Sequence, residues 1–273
     1  MNDLNIKFAK EYKSSDSLRR YTTSTAGYGI SYLLEHEYKD IYLNAIHQNL
    51  SEIQNTPGMK ILEYGCGAGM NLISLLKILK RRSINVHNAY GTDFSKVLID
   101  AAKKEAQTYL EDEEQSKTYF YVARNESLVQ DICTTLKLDE SQITNSFHLI
   151  MGINTFRYCH RLKMENECAS DIHKLLIPGG ISIMIDMNDK FPFFRSKFHK
   201  KRGDNPIETY IPNLDEYARP FENAGFEILK RENFCWIPHS SQSFTCHVLR
   251  AFTPILQMWF ARLAMRSLVI AKK

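Results

Sequence analysis

The stretch MKILEYGCGAGMNL, residues 59–72, constrains the fold of this chain more than any other part of it. An apolar run of strand character breaks at Gly65, Gly67 and Gly69, then resumes as a helical pattern. A strand that turns sharply into a helix, while leaving its main chain open to a ligand, needs residues without a Cβ at the crossing. The turn therefore opens an α/β unit. The rest of the chain continues in kind, with short apolar runs alternating with longer amphipathic stretches, the pattern of strands and helices wound into a largely parallel sheet. It predicts strands at about 59–64, 85–92, 118–123, 147–153, 181–186, 227–236 and 266–271.

Helix signals fill the gaps. GMNLISLLKILKRR repeats apolar residues at helical spacing and closes on cations, which suit the negative end of a helix macrodipole. Ser95 stands as the N-cap of KVLIDAAKKEAQTYL. MENECASDIHKLLIPGG reads as a helix stopped by Pro178 and turned into the next strand by Gly179 and Gly180, and Gly225 ends NLDEYARPFENAG in the same way. Residues 1–56 carry helical patterning, with Tyr32, Leu33, Tyr38, Ile41, Tyr42 and Ile46 near one stripe, and are expected to form an N-terminal helical cap or lid. Residues 57–273 then form the ligand-binding domain, with an insertion at about 237–265 long enough to add a helix beside the pocket.

Composition narrows the partners. A chain of 273 residues with 44% hydrophobic and 24% charged content buries a sizeable core, which excludes disordered and fibrous classes. Thirty-five basic against thirty-one acidic residues leave a formal charge of +4, too mild to mark a nucleic-acid binder. The six cysteines are scattered without a C-x-x-C pair and read as reduced thiols of a cytoplasmic protein. The N-terminus has no apolar core of a signal peptide, and VLRAFTPILQMWFARLAM is interrupted by Arg250, Pro254 and Arg262, so no membrane association is expected.

The ligand is indicated by the turn and its acidic partner. AYGTDFS puts Asp93 at the end of the second strand, where a carboxylate accepts hydrogen bonds from both ribose hydroxyls of a nucleoside. A dinucleotide site would have a third small residue where Met70 stands, and a phosphate-binding P-loop would need a G-K-[ST] that is absent. ILEYGCGAG instead resembles motif I of the class I S-adenosylmethionine-dependent methyltransferases, with Glu63 two places before the first glycine. GTDFS, SFHLIMGINTFRY, LLIPGGISIMID, NAGFEIL and LVIAKK are similar to the later motifs of that family, in its order. The resemblance implies a Rossmann-like, doubly wound seven-stranded sheet, mostly parallel with the last strand antiparallel. It implies S-adenosylmethionine as cofactor, S-adenosylhomocysteine as product, and a cofactor site of Glu63, Gly65, Gly67, Gly69 and Asp93, with Phe94 packed on adenine. Where the family usually has an Asp after the third strand, ARNESL offers Asn125 followed by Glu126, and an amide oxygen still accepts from the adenine amino group.

In an open α/β sheet ligands sit outside the carboxyl ends of the strands, at the switch in strand order, so NTFRYCHR should meet the reacting end. Asn154 is the first candidate there, presenting its carbonyl to a nucleophile or to the polarised methyl. Tyr158 and His160 are candidates to orient or deprotonate a substrate, set against a packed aromatic and a surface histidine. Tyr21 and Tyr28 are placed to close over the ligand, or equally to pack in a core. Displacement at a sulfonium asks mainly for positioning and desolvation, so no metal is required, and no His and carboxylate cluster has ligand spacing. The reading is a methyltransferase acting on the O, N or C nucleophile of a small molecule, as a monomer or homodimer. Its alternatives are aminocarboxypropyl transfer or cyclisation releasing methylthioadenosine, an RNA cap-like methyltransferase using the basic runs SKFHKKR and LKILKRR, or a cofactor-binding subunit without turnover.

Overall fold

A computed structural model describes residues 29–34, 36–50, 58–192, 210–237 and 243–273. Tyr21, Tyr28 and the run at 196–202 lie outside the described residues, as does the side chain of Tyr32. The strands are β1 (Met59–Tyr64), β2 (Val86–Asp93), β3 (Thr118–Val122), β4 (Phe147–Ile153), β5 (Leu176–Met187), β6 (Glu227–Phe234) and β7 (Arg266–Lys272). They form one seven-stranded sheet in the order β3-β2-β1-β4-β5-β7-β6. The first five strands pair in parallel, and β7 runs antiparallel to both β5 and β6. Strand order reverses between β1 and β4, which places the switch point there.

The helices are α1 (Gly29–Leu34), α2 (Tyr38–Asn49), α3 (Met70–Arg81), α4 (Lys96–Tyr109), α5 (Asp112–Ser116), α6 (Leu128–Leu136), α7 (Glu140–Ile143), α8 (Phe156–Leu162), α9 (Glu165–Leu175), α10 (Leu214–Asn223) and α11 (Ser243–Phe260). The strand period of two sorts the core into two layers. Ile61, Met151, Ile183 and Ile270 join α1 to α4 on one face, while Leu62, Ile150, Met184 and Val269 join α6, α8, α9 and α10 on the other. Both faces of the central strands are therefore apolar, as a parallel sheet covered on both sides requires.

Several boundaries carry physical information. Ser95 caps α4 as expected, its side chain accepting from the Leu98 N–H, and Lys80 and Arg81 occupy the last turn of α3. The helix before Pro178 stops earlier than the sequence suggested, at Leu175, and extended chain begins at Leu176. Pro178 and the two glycines thus lie inside β5, where the pairing with β4 jumps from Phe147↔Leu176 to Leu149↔Ile181. The bulge is held because the Gly179 N–H donates to the Lys273 carbonyl at 2.8 Å with Gly179 at φ +80°. At the other end, β6 stops at Phe234 rather than 236 because Cys235 turns away with φ +72°.

The N-terminal patterning resolves into α1 and α2, broken at His36 and Glu37, and α2 buries Tyr38, Tyr42, Leu43, Ala45 and Ile46. The insertion between β6 and β7 does form a helix, α11. It is tied to the end of β6, for Gln257 Nε2 donates to the Asn233 carbonyl at 2.7 Å and Gln257 Oε1 accepts from Trp236 Nε1 at 3.0 Å. No described helix is long and apolar enough to cross a membrane.

Candidate active site

The glycine turn between β1 and α3 is left-handed at every other residue, with φ +60° at Gly65, +55° at Gly67 and +78° at Gly69. Two of the three are also forced by close approach. A Cβ on Gly65 would stand 2.0 Å from Thr155 Oγ1, and one on Gly69 would stand 2.8 Å from the Phe120 ring and 3.0 Å from Ala102 Cβ. Gly65 thus lets the loop after β4 touch the turn, and Gly69 lets α3 begin tight against the sheet.

Asp93 closes this turn from below. Its Oδ2 accepts the Gly67 N–H at 3.0 Å and its Oδ1 accepts the Ser95 N–H at 2.8 Å, so one carboxylate fixes the turn and the start of α4 together. Each oxygen keeps a second lone pair for another donor. Burial raises its pKa to about 6, against the pull of the Ser95 and Gly67 N–H groups. Glu63 is more deeply placed. Its two oxygens accept from Asn71 Nδ2 at 3.2 Å and from the Leu72 N–H at 3.0 Å, which satisfies one of the unpaired donors at the start of α3. Burial raises its pKa to about 8, outweighing those two hydrogen bonds. The buried Tyr42 hydroxyl of α2 is close enough to feel the Glu63 charge and has no hydrogen-bond partner among the described residues.

A second strand of contacts ties the loop after β3 to the loop after β4. Asn125 Nδ2 donates to Thr155 Oγ1 at 2.8 Å, which leaves the Asn125 amide oxygen outside that contact. Glu126 is half-buried next to Asn125 in the chain, and Phe94 is 38% exposed. Asn154 takes φ +58°, a conformation Asn tolerates better than most residues, while its N–H donates to the Ile185 carbonyl at 2.7 Å. Its side-chain Oδ1 is buried and has no hydrogen-bond partner among the described residues.

The remaining two candidates part company. Tyr158 stays with the strand ends, its hydroxyl accepting from Arg157 Nη2 at 2.9 Å. His160 points into the helical layer, edge-on to the rings of Phe156 (5.3 Å) and Tyr217 (5.6 Å), with Nδ1 3.8 Å from a Glu165 oxygen. Burial lowers its pKa, and the nearby Glu165 only partly opposes that.

Three residues at this end of the sheet were not singled out from the sequence: Thr155, Arg157 and Asp186. Asp186 is fully buried at the end of β5, where Oδ2 accepts the Arg157 N–H at 2.9 Å and Oδ1 accepts Arg157 Nη1 at 2.7 Å and the Met187 N–H at 2.8 Å. A readable signal existed, since a carboxylate closing the apolar run ISIMID repeats the pattern that marked Asp93 at the end of β2. Among the described residues no group of three or more His, Cys, Asp or Glu side chains is placed to hold a metal ion.

Comparison with known proteins agrees with this architecture. The methyltransferase-domain family model matches residues 34–231. The citrinin polyketide synthase of Monascus ruber is 26% identical over 149 residues, which is 54% of this chain and 5% of that protein. The non-reducing polyketide synthase sor2 of Hypocrea jecorina is 28% identical over 137 residues, 50% of this chain and 4% of that protein. The chain thus spans about one-twentieth of the length of such curated relatives. Among solved structures, the CMeT domain of the citrinin polyketide synthase superposes with a TM-score of 0.52 at 20% identity, covering 80% of this chain and 47% of that one. The CurJ carbon methyltransferase gives 0.56 at 13% identity (98% and 60%), and the [4+2]-cyclase SpnF gives 0.54 at 17% (86% and 80%). At these identities the superpositions establish the fold, and the family match, running from α1 into β6, establishes descent: the chain belongs to the methyltransferase-domain family of class I S-adenosylmethionine-dependent methyltransferases.

Proposed function

We propose that this chain methylates a small-molecule acceptor, with a carbon next to a carbonyl as the favoured atom among O, N and C nucleophiles. The observation that carries the cofactor part is the clamp between Asp93 and the Gly67 N–H, which presents a left-handed, side-chain-free turn at the switch point of the sheet. The residues fit S-adenosylmethionine. In this reading Gly65, Gly67 and Gly69 lie against its methionine half, and the spare lone pairs of Asp93 take the ribose hydroxyls. Phe94 covers the adenine, the free Asn125 oxygen, with Glu126 beside it, takes its amino group, and the orphaned Asn154 Oδ1 faces the reacting end. When bound, the sulfonium supplies an activated methyl group, so the protein's own task is to position the acceptor and exclude water. The α1–α2 segment, with Tyr42 beside Glu63, serves as the cap over the methionine side. The carbon preference is supported by relatives that are polyketide synthases and by a similar fold in a protein described as a carbon methyltransferase.

The test is calorimetric titration with S-adenosylmethionine against NAD, followed by incubation with methyl-labelled cofactor and carbonyl-containing metabolites. Cofactor binding without NAD binding, label in a C-methylated product and release of S-adenosylhomocysteine are expected. Methylthioadenosine as by-product would replace methyl transfer with transfer of the aminocarboxypropyl arm, and label on oxygen or nitrogen would overturn the carbon preference alone.

A further inference from the structure

The first turn of α8 holds a buried guanidinium whose hydrogen-bonding capacity the fold does not use up. Arg157 is 9% exposed, and Asp186 is completely buried. Docking α8 onto β5 is already achieved by the main chain, through the Arg157 N–H to Asp186 Oδ2 at 2.9 Å. Yet the side chain curls back as well, with Nη1 donating to Asp186 Oδ1 at 2.7 Å and to the Asn154 carbonyl, and Nη2 donating to the Tyr158 hydroxyl at 2.9 Å. Its carbon lies 4.3 Å over the Tyr158 ring, and Arg161 lies 5.1 Å over the same ring.

Burying a cation costs free energy that an ion pair only partly returns, and an apolar residue of similar volume often does as well or better. Here burial works against the charge, and Asp186, helped by the phenols of Tyr158 and Tyr217, more than offsets it, holding the guanidinium's pKa above the ordinary arginine range. The charge is therefore permanent and immobile. Of its five N–H groups, Nε–H and one on Nη2 make no hydrogen bond among the described residues. The guanidinium is held against the main-chain carbonyl of Asn154, whose own Oδ1 lacks a partner among the described residues, at the carboxyl end of β4 where the switch point puts the reacting end of a ligand.

We propose that Arg157 forms an oxyanion-binding site for the acceptor, and that the acceptor class is a carbonyl compound or phenol that reacts through its enolate or phenolate. This rests on the methyltransferase reading above and adds the electronic state in which the acceptor is held. The acceptor's proton leaves to water, and the negative charge settles on an oxygen against the free N–H groups of Arg157. For an enolate, the electron pair then forms the bond to the methyl carbon as the sulfur–methyl bond breaks with its pair kept by sulfur, and the carbonyl re-forms. A fixed cation aimed at a developing oxyanion in a water-poor site is worth about 10²–10³ in rate. Asp186 is the positioning residue, since it holds both the main chain and the side chain of Arg157.

The experiment uses the full chain saturated with S-adenosylhomocysteine and 4-nitrophenol as the probe, whose phenolate is coloured. Titration of the bound probe should show its apparent pKa lowered by at least one unit, a preference for the anion of about tenfold or more. Arg157→Gln should abolish the shift and Arg157→Lys should restore part of it, with calorimetric affinity for S-adenosylhomocysteine unchanged in both. An unshifted titration in the unaltered protein overturns the proposal, whether the phenolate fails to bind or binds without preference for its charge. So does a full shift in Arg157→Gln. Failure of S-adenosylhomocysteine to bind is a separate result, read in the calorimetry, and strikes the cofactor assignment instead.

Discussion

At Gly65 two demands meet on one residue: φ is +60°, and Thr155 Oγ1 lies 2.0 Å from where a Cβ would stand. Gly65→Ala should therefore cost about 1–3 kcal/mol of stability from the backbone alone, with more from displacing Thr155 and, through it, Asn125. Thermal unfolding and cofactor titration should both register the loss, and a variant with unchanged affinity would mean that the turn is not against the ligand. Asp93→Ala acts differently, because it leaves the N–H groups of Gly67 and Ser95 without an acceptor. At about 1–3 kcal/mol for each orphaned group, it should lower the melting temperature as well as cofactor affinity. Asp93→Asn keeps one acceptor oxygen and should lose less of both. The glycines were legible in the sequence because a conformational requirement leaves a residue type behind, and Asp93 because it closes a strand, a signal that Asp186 carries as well although it was not singled out. Thr155 and Arg157 were not, since their roles arise only when the loop after β4 meets the turn after β1 and the end of β5.

Elements were legible where one period dominated. The strands β1, β4 and β7 were read to within a residue or so because their runs are largely buried on both faces, β2, polar in its first half, because Asp93 marks its end, and α3 and α4 because the glycine turn and Ser95 mark their starts. Errors fell where a local signal met a tertiary one. Pro178 reads as a helix stop, but Gly179 is stapled to the Lys273 carbonyl, so the same residues become a bulge inside β5. The insertion between β6 and β7, read as a helix beside a pocket, forms α11, and Gln257 ties that helix to the end of the edge strand β6 by contacts no local pattern could show. Gln257→Ala should leave the Asn233 carbonyl and the Trp236 indole N–H without their partners, costing about 1–2 kcal/mol in total. Hydrogen exchange at β6 should rise while cofactor affinity stays constant. Equal protection in the variant would show that α11 is held by its apolar contacts alone.

For the molecule as a whole, the site imposes a pH dependence on folding. Glu63 goes from an ordinary pKa of 4.5 to about 8, and Asp93 from 3.8 to about 6, in each case because burial disfavours the charged form. Both are acids whose folded pKa lies above the unfolded value, so between about pH 4 and pH 8 the native state holds protons that the unfolded chain has released. Their contribution to stability is fully present below pH 4 and is lost as pH rises, through 6 for Asp93 and through 8 for Glu63. The ligand-free protein should accordingly melt at lower temperature at pH 8.5 than at pH 6, and Glu63→Gln, which cannot ionise, should flatten most of that slope. A cationic nucleoside lodged over the turn favours the ionised form of Glu63, so its binding should release a proton near neutral pH. Calorimetry in buffers of different ionisation enthalpy counts that proton directly, and the gain in melting temperature on adding S-adenosylmethionine should grow from pH 6 to pH 8.5 in the unaltered protein but not in Glu63→Gln. A gain that is the same at every pH in both proteins would separate Glu63 from the ligand and leave it as no more than the cap of α3.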